Sequence, residues 1–301
     1  MAMRVATFAS SERMLAASLT TQARMADLQM QQASGTVSTD YGGLGRSTKP
    51  LLDLEASLKT SQAYASAAEE ASNRVEVLYS TLSTITDLLT EFRGEITAMM
   101  SADSSEASNQ TLVSAAEGFR DELASLLNTT FEGRYLFSGD ATTTAPVDLT
   151  GYAAEAETAS TAYYQGNDGV TKVKIARDQT VAYGVTADNS AFEQAFRALG
   201  IIADASTVDA DLLQSSYDLI VSALDETIAV QSRLSINAST LERSVDRQGD
   251  YETYLSAMIS ELKDADVTQI TVTLTNYETQ LQASYSAIAK VQSLNLLDYL
   301  R

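Results

Sequence analysis

The 301-residue chain has no Cys, no His and no Trp, and only two Pro. Without Cys there is no disulfide framework and no thiolate zinc site. Without His the commonest general base and transition-metal ligand are missing, so Ser-His-Asp and Cys-His hydrolysis in their usual forms are excluded. Basic residues are scarce too: 20 Lys and Arg face 40 Asp and Glu, a formal charge of −20. Nucleic acid and anionic lipid need Lys/Arg footprints, so neither is an expected partner. No run of 18 apolar residues is present, so no membrane insertion is expected. Residues 1–30 lack a continuous apolar segment and a cleavage site, which argues against a cleaved signal peptide.

The charge is unevenly placed. Residues 1–35 hold Arg4, Arg13 and Arg24 against Glu12 and Asp27, a net of +1. Residues 262–301 hold Lys263, Lys290 and Arg301 against Asp264, Asp266, Glu278 and Asp298, a net of −1. The acidity therefore lies between the ends, where self-repulsion favours solubility. Two nearly neutral ends are suited to packing against each other and against copies of themselves.

Scarce proline leaves room for long helices. After Pro50, apolar or small residues recur at Leu51, Leu54, Leu58, Ala65, Ala68, Ala71 and Val75. From Val75 the positions Leu78, Leu82, Ile85, Leu89, Phe92, Ile96 and Met99 step 3-4-3-4-3-4-3, a heptad seam. About 50 helical residues make a rod of about 75 Å, longer than a compact globule of this chain length, with its radius of gyration of about 19 Å, can hold. Leu112, Ala116, Phe119, Leu123 and Leu126 mark a second helix, following Ser104-Ser105 and ending near Thr129-Thr130. Between 132 and 200 the helical period disappears and Gly, Thr, Tyr and Val rise. Tyr163 to Ile175 reads as two strands around an Asn167-Asp168-Gly169 turn. Val181, Tyr183 and Val185 alternate like a third strand, and Phe192, Phe196 and Leu199 suggest a short helix. Helix resumes near Asp209, with a bend expected at Gly249. The last helix carries Val267, Ile270, Leu274, Tyr277, Leu281, Ser284, Ile288 and Val291, again stepping 3-4-3-4-3-4-3. The first helix has anchors at Phe8, Leu15, Leu19, Met25 and Leu28, and Gly35 suits its C-terminal stop.

The expected fold is mainly α: an elongated bundle of long antiparallel helices, coiled-coil terminal helices and a small β-rich inserted domain. The expected divisions are 1–45 with 262–301 as a terminal assembly domain, 46–131 with 205–261 as a helical rod, and 132–204 as the insert. Two terminal helices alone bury little for their length, so an intermolecular role is expected for them.

No catalytic or cofactor constellation emerges. Glu69-Glu70 and Asp264-Ala265-Asp266 point in diverging directions on a helix and read as solvated charge. Gly42-Gly43-Leu44-Gly45-Arg46 lacks the Gly-Lys-Ser/Thr ending of a phosphate loop. Asn167-Asp168-Gly169 is too short for a calcium loop. No cofactor, no metal and no enzymatic activity are expected. The candidate functional residues are instead an assembly interface: Phe8, Leu15, Leu19, Met25, Leu28, Val267, Ile270, Leu274, Tyr277, Leu281, Ile288, Val291, Leu294 and Leu297.

Four stretches resemble the flagellin family. The first helix ends Gln31-Gln32-Ala33-Ser34-Gly35. The segment Asn128-Thr129-Thr130-Phe131-Glu132-Gly133-Arg134-Tyr135-Leu136-Phe137-Ser138-Gly139 resembles the family's passage from paired helices to the variable outer region. Gln231-Ser232-Arg233-Leu234 resembles the opening of the return helix. The tail runs Leu281-Gln282-Ala283-Ser284-Tyr285-Ser286-Ala287-Ile288 and closes on Leu296-Leu297-Asp298-Tyr299-Leu300. The branch at the hook–filament junction is the most similar, through Gly133–Gly139 with Thr143-Thr144-Ala145-Pro146, Tyr164-Gln165-Gly166 and the Leu-Leu-Asp-Tyr-Leu ending. Residues 36–50 depart from the family's short Asp-rich loop.

The resemblance implies an extracellular structural role in the bacterial flagellum, with export through the type III apparatus without a cleaved signal. It implies as partners copies of the chain, other hook-associated proteins, flagellin and an export chaperone. A filament-forming flagellin is the alternative within the family, and a soluble helical binding protein the alternative outside it.

Overall fold

A computed structural model describes the backbone of residues 2–101 and 106–293, and side-chain surroundings for 11–101 and 106–290. Helix α1 (Ala2–Ser34) leads through a 3₁₀ segment (Tyr41–Ser47) to α2 (Thr48–Ser101) and α3 (Glu106–Leu127). Short strands β1 (Thr130–Phe131) and β2 (Arg134–Tyr135) follow, then β3 (Lys172–Ala176), β4 (Gln179–Ala182), α4 (Ser190–Ala203), α5 (Ala210–Lys263) and α6 (Val267–Ser293). The protein is mainly α, as its periodicity and scarce proline predict.

Packing divides the chain into two units: Met1–Lys59 with Glu252–Arg301, and Thr60–Tyr251. The contiguous apolar core lies in the second unit. There the heptad seam of α2 is realised, with Val75, Leu78, Leu82, Ile85, Leu89, Phe92 and Ile96 essentially inaccessible. Each such side chain contributes about 1.5–3 kcal/mol by leaving water. Phe92 of α2 meets Phe119 of α3 with ring centroids 5.5 Å apart. Ser61 Oγ donates to Gln248 Oε1 at 2.7 Å, tying α2 to α5.

Helix α4 is apolar nearly all round, and Phe192, Ala195, Phe196, Ala198 and Leu199 are fully buried. A helix with that pattern belongs inside a core. Asn189 caps it by accepting from the Ala191 amide. Glu193 is buried on it but not orphaned: it accepts from the Ser160 amide at 3.0 Å and pairs with Arg197 at 3.3 Å. Tyr163 lies at 4.4 Å from the Phe196 ring and donates to the Ala187 carbonyl at 2.9 Å.

Three sequence expectations are corrected. The hairpin pairs Lys172–Ala176 with Gln179–Ala182, turning at Arg177-Asp178 and not at Asn167-Asp168-Gly169. Tyr164 instead bridges Val147, and the Asn167 loop wraps the 138–140 turn. Asn167 N donates to the Ser138 carbonyl, and Asn167 Oδ1 accepts from Asp140 N. Gly139, at φ +69°, admits this approach: a Cβ there would sit 2.3 Å from the Asn167 carbonyl oxygen. Helix α5 continues through Gly249 without a break, because one Gly in a long packed helix costs only about 1 kcal/mol. Gln231–Leu234 lies inside α5, not at its opening.

Candidate assembly surface

The surface begins at a glycine. Helix α1 stops at Gly35, whose φ is +70° and whose amide donates to the Gln31 carbonyl. That left-handed turn sends the chain back along the other terminal segment. Thr36 pairs with Asp264 in an antiparallel bridge, Val37 N donates to the Lys263 carbonyl, and Ala265 N donates to the Gly35 carbonyl. Asp266 then starts α6 by accepting from the Gln269 amide. The two junctions of the chain thus fold onto each other, and α1 and α6 leave them side by side.

The pairing is antiparallel. Gln22 bonds the Tyr285 hydroxyl and Gln32 Nε2 donates to Thr271 Oγ1 at 3.1 Å. On α6 the inward positions are Ile270, Leu274 and Leu281, each about 7% exposed, with Tyr277 and Ile288 half-buried. On α1 they are Met14, Ser18, Thr21, Met25 and Leu28. These step 4-3-4-3, a heptad-like spacing that short or polar residues at 18 and 21 make hard to recognise. The signal was the spacing rather than the hydrophobicity.

The expected interface residues therefore separate into groups. Met25, Leu28, Ile270, Leu274, Tyr277, Leu281 and Ile288 face the seam within one chain. Leu15 and Leu19 do not: they are 52% and 57% exposed, and Val267 is 44% exposed. The reason is angular. Leu15 and Leu19 lie about 100° and about 140° around α1 from the mean direction of Met14, Ser18, Thr21, Met25 and Leu28, at about 100° per residue. Phe8 and Val291 lie on α1 and α6, but their side-chain surroundings fall outside the described residues. Leu294 and Leu297 fall outside them altogether. Met30, 63% exposed, and Val272, 59% exposed, also stand outward and were not among the expected residues.

Within the same unit, the 36–47 segment is held by Tyr41. Its hydroxyl donates to Glu55 Oε2 at 2.9 Å, and Lys263 Nζ lies 3.8 Å from Glu55 Oε1. The hydrogen bond to Glu55, with the carboxylate's charge, raises the Tyr41 pKa. A groove of about 480 Å³ between α2 and α5 is lined by Pro50, Leu54, Met258 and Leu262 with Asp53 and Glu261. Among the described residues, no cluster of three or more Asp or Glu could hold a metal ion, and no helix is long and apolar enough to cross a membrane. The surface offers apolar side chains and hydrogen-bonding groups for contact, which is the chemistry of association.

Residues 5–142 match the bacterial flagellin N-terminal helical region, and residues 217–300 match the bacterial flagellin C-terminal helical region. The chain belongs to the flagellin family. Flagellar hook-associated protein 3 of Escherichia coli (strain K12) is 27% identical over 253 residues, covering 77% of this chain and 79% of that protein. Flagellar hook-associated protein 3 of Salmonella typhimurium (strain LT2) is 22% identical over 321 residues, covering 98% of each. The crystal structure of hook-associated protein-3 from Legionella pneumophila has the same fold, with a TM-score of 0.57 at 14% identity over 69% of this chain and 98% of that one. The chain is thus a structural protein of the flagellum.

Proposed function

We propose that this chain is a junction subunit of the bacterial flagellum, connecting hook-side proteins to the flagellin filament by helix–helix packing. The observation that carries the reading is the α1–α6 pair. It joins both ends of the chain, satisfies one face of each helix internally, and leaves Leu15, Leu19 and Met30 in water. Large apolar side chains exposed along one helix favour burial against another helix.

In this reading, residues 1–45 with 262–301 form the assembly domain. Residues 46–131 with 205–261 form the rod, and 132–204 the outer insert. Leu15, Leu19 and Val267 contact neighbouring copies directly. Met25, Leu28, Ile270, Leu274, Tyr277, Leu281 and Ile288 set the pair's geometry, and Phe8, Val291, Leu294 and Leu297 are assigned to the same assembly interface on the sequence pattern alone. The partners are copies of the chain, other hook-associated proteins and flagellin. An export chaperone and the type III apparatus deliver it outside the cell, and it performs no catalysis. The names of the two curated relatives support the hook-associated role over a filament role.

Seeded polymerisation tests the reading. Purified chain added to filament seeds is expected to add a short terminal segment and stop. Growth of long homopolymers would identify a filament-forming flagellin instead.

A further inference from the structure

In a chain of net charge −20, the β3–β4 hairpin concentrates cations. Lys172 and Lys174 are both exposed, with Arg177 in the turn between the strands. Val173 and Ile175 point the other way, toward the core. The hairpin is docked on α5: Asn237 Nδ2 donates to the Ala182 carbonyl at 3.0 Å, and Ser244 Oγ to the Ile175 carbonyl at 3.2 Å. Arg247 reaches Gln179 Oε1 from the same helix, with Arg243 one turn away. Asp178, Glu242 and Asp246 are interspersed, so cations exceed carboxylates here, in a chain that has 40 Asp and Glu against 20 Lys and Arg. Among the described residues, none of these five cations lies in an ion pair; those pairs use Arg74, Arg120, Arg197 and Lys263. On the Lys-bearing face the cross-strand neighbours are short, with Lys172 opposite Ala182 and Lys174 opposite Thr180.

A matching anionic face lies on α3. Glu117, Asp121 and Glu122 are exposed there. The one Arg nearby, Arg120, is engaged with Asp204 at 3.1 Å. Gly118 lies beside them with open space where a side chain would stand, and Ser114 continues this low surface one turn away. The spacings agree. Lys172 and Lys174 are about 6.8 Å apart along a strand, and Glu117 and Asp121 about 6 Å apart along a helix.

We propose that the outward face of the β3–β4 hairpin, with Arg243 and Arg247 beside it, is a contact surface for the Glu117–Asp121 face of α3 on a second copy of this chain. The inference rests on the reading that copies lie side by side in the flagellum. Copies of a −20 chain repel one another, and a cationic patch meeting an acidic face offsets that repulsion and fixes register. The contact is polar and exposed at its rim, so it is weak, salt-sensitive and suited to selecting orientation.

Sedimentation of the full chain at high protein concentration, in low and in near-physiological salt, tests it. The wild type is expected to self-associate in low salt and to weaken by about tenfold as salt is raised. Lys172→Glu with Lys174→Glu, and separately Glu117→Lys with Asp121→Lys, are each expected to abolish association. An equimolar mixture of the two variants is expected to restore it. Lys172→Gln with Lys174→Gln, which introduces no new charge, is expected to fall between wild type and the reversed variant. Unchanged circular dichroism shows that each variant folds.

A wild type that stays monomeric in low salt overturns the proposal, as does association that survives charge reversal or a mixture that fails to restore it. Binding of a short DNA duplex to the hairpin, lost in the reversed variant while copies do not associate, would overturn it in favour of a polyanion. Seeded polymerisation is read separately. Long homopolymers with a working charge swap would remove the junction reading and leave this contact standing. A short terminal segment with a failed swap would do the reverse.

Discussion

The Ala265 amide donates to the Gly35 carbonyl over 2.9 Å, joining the end of α1 to the approach to α6 across most of the intervening sequence. The bond depends on Gly35 holding φ near +70°. Replacing Gly35 with Ala is expected to cost about 1 kcal/mol, because a Cβ is strained in that region. Amide exchange in α1 and α6 should quicken, with little change in the Thr60–Tyr251 unit. Equal loss of protection in both units would show that the turn does not act locally.

Phe92 is fully buried and packs against Phe119. Phe92→Ala is expected to destabilise the chain by about 3–5 kcal/mol through lost transfer energy and a residual cavity. Urea denaturation measures this. A cost under about 1 kcal/mol would contradict the placement of the α2 seam in the core.

Tyr152 and Tyr163 predict an alkaline limit to stability. Burial, reinforced by the Glu193 charge, raises the Tyr152 pKa to about 12 from 10.0. Burial also raises that of Tyr163, whose ring meets Tyr152 at 5.3 Å. Above pH 10 an unfolded phenol releases its proton while the folded one keeps it, so the unfolded state binds fewer protons and stability falls with rising pH. The stabilisation is complete below pH 10 and is lost as pH climbs through about 12. Thermal melts across this range should show a steep decline in wild type and a shallower one in Tyr152→Phe.

Leu15 and Leu19 separate assembly from folding. Both are more than half exposed, whereas Leu274 and Leu281 are buried in the seam. Leu15→Asp with Leu19→Asp is expected to change stability by no more than about 0.5 kcal/mol per site and to abolish incorporation into flagella. Leu274→Ala with Leu281→Ala is expected to loosen the α1–α6 pair itself, visible as faster proteolysis of both ends. Normal incorporation of the Asp variant would exclude that ridge from the interface.

The long helices were legible because their signals are local. The Val75–Ile96 heptad, the inward positions Ile270, Leu274 and Leu281 of the last helix, and the Gly35 stop each sit within a few turns of sequence. The seam on α1 was less legible, since Ser18 and Thr21 occupy inward positions while Leu15 and Leu19 face out. Hydrophobicity and heptad spacing point to different faces of that helix. Local pattern puts the hairpin turn at Asn167-Asp168-Gly169, which has stronger turn chemistry than Arg177-Asp178. That segment is instead held by the 138–140 turn, far earlier in the chain. Contacts at that separation leave no mark in a local pattern. The cationic face of Lys172 and Lys174 becomes evident only once the register is known.

Electron microscopy of flagella carrying labelled protein tests the central claim most directly. The account predicts label confined to a short collar where hook meets filament. Label distributed along the whole filament would contradict it.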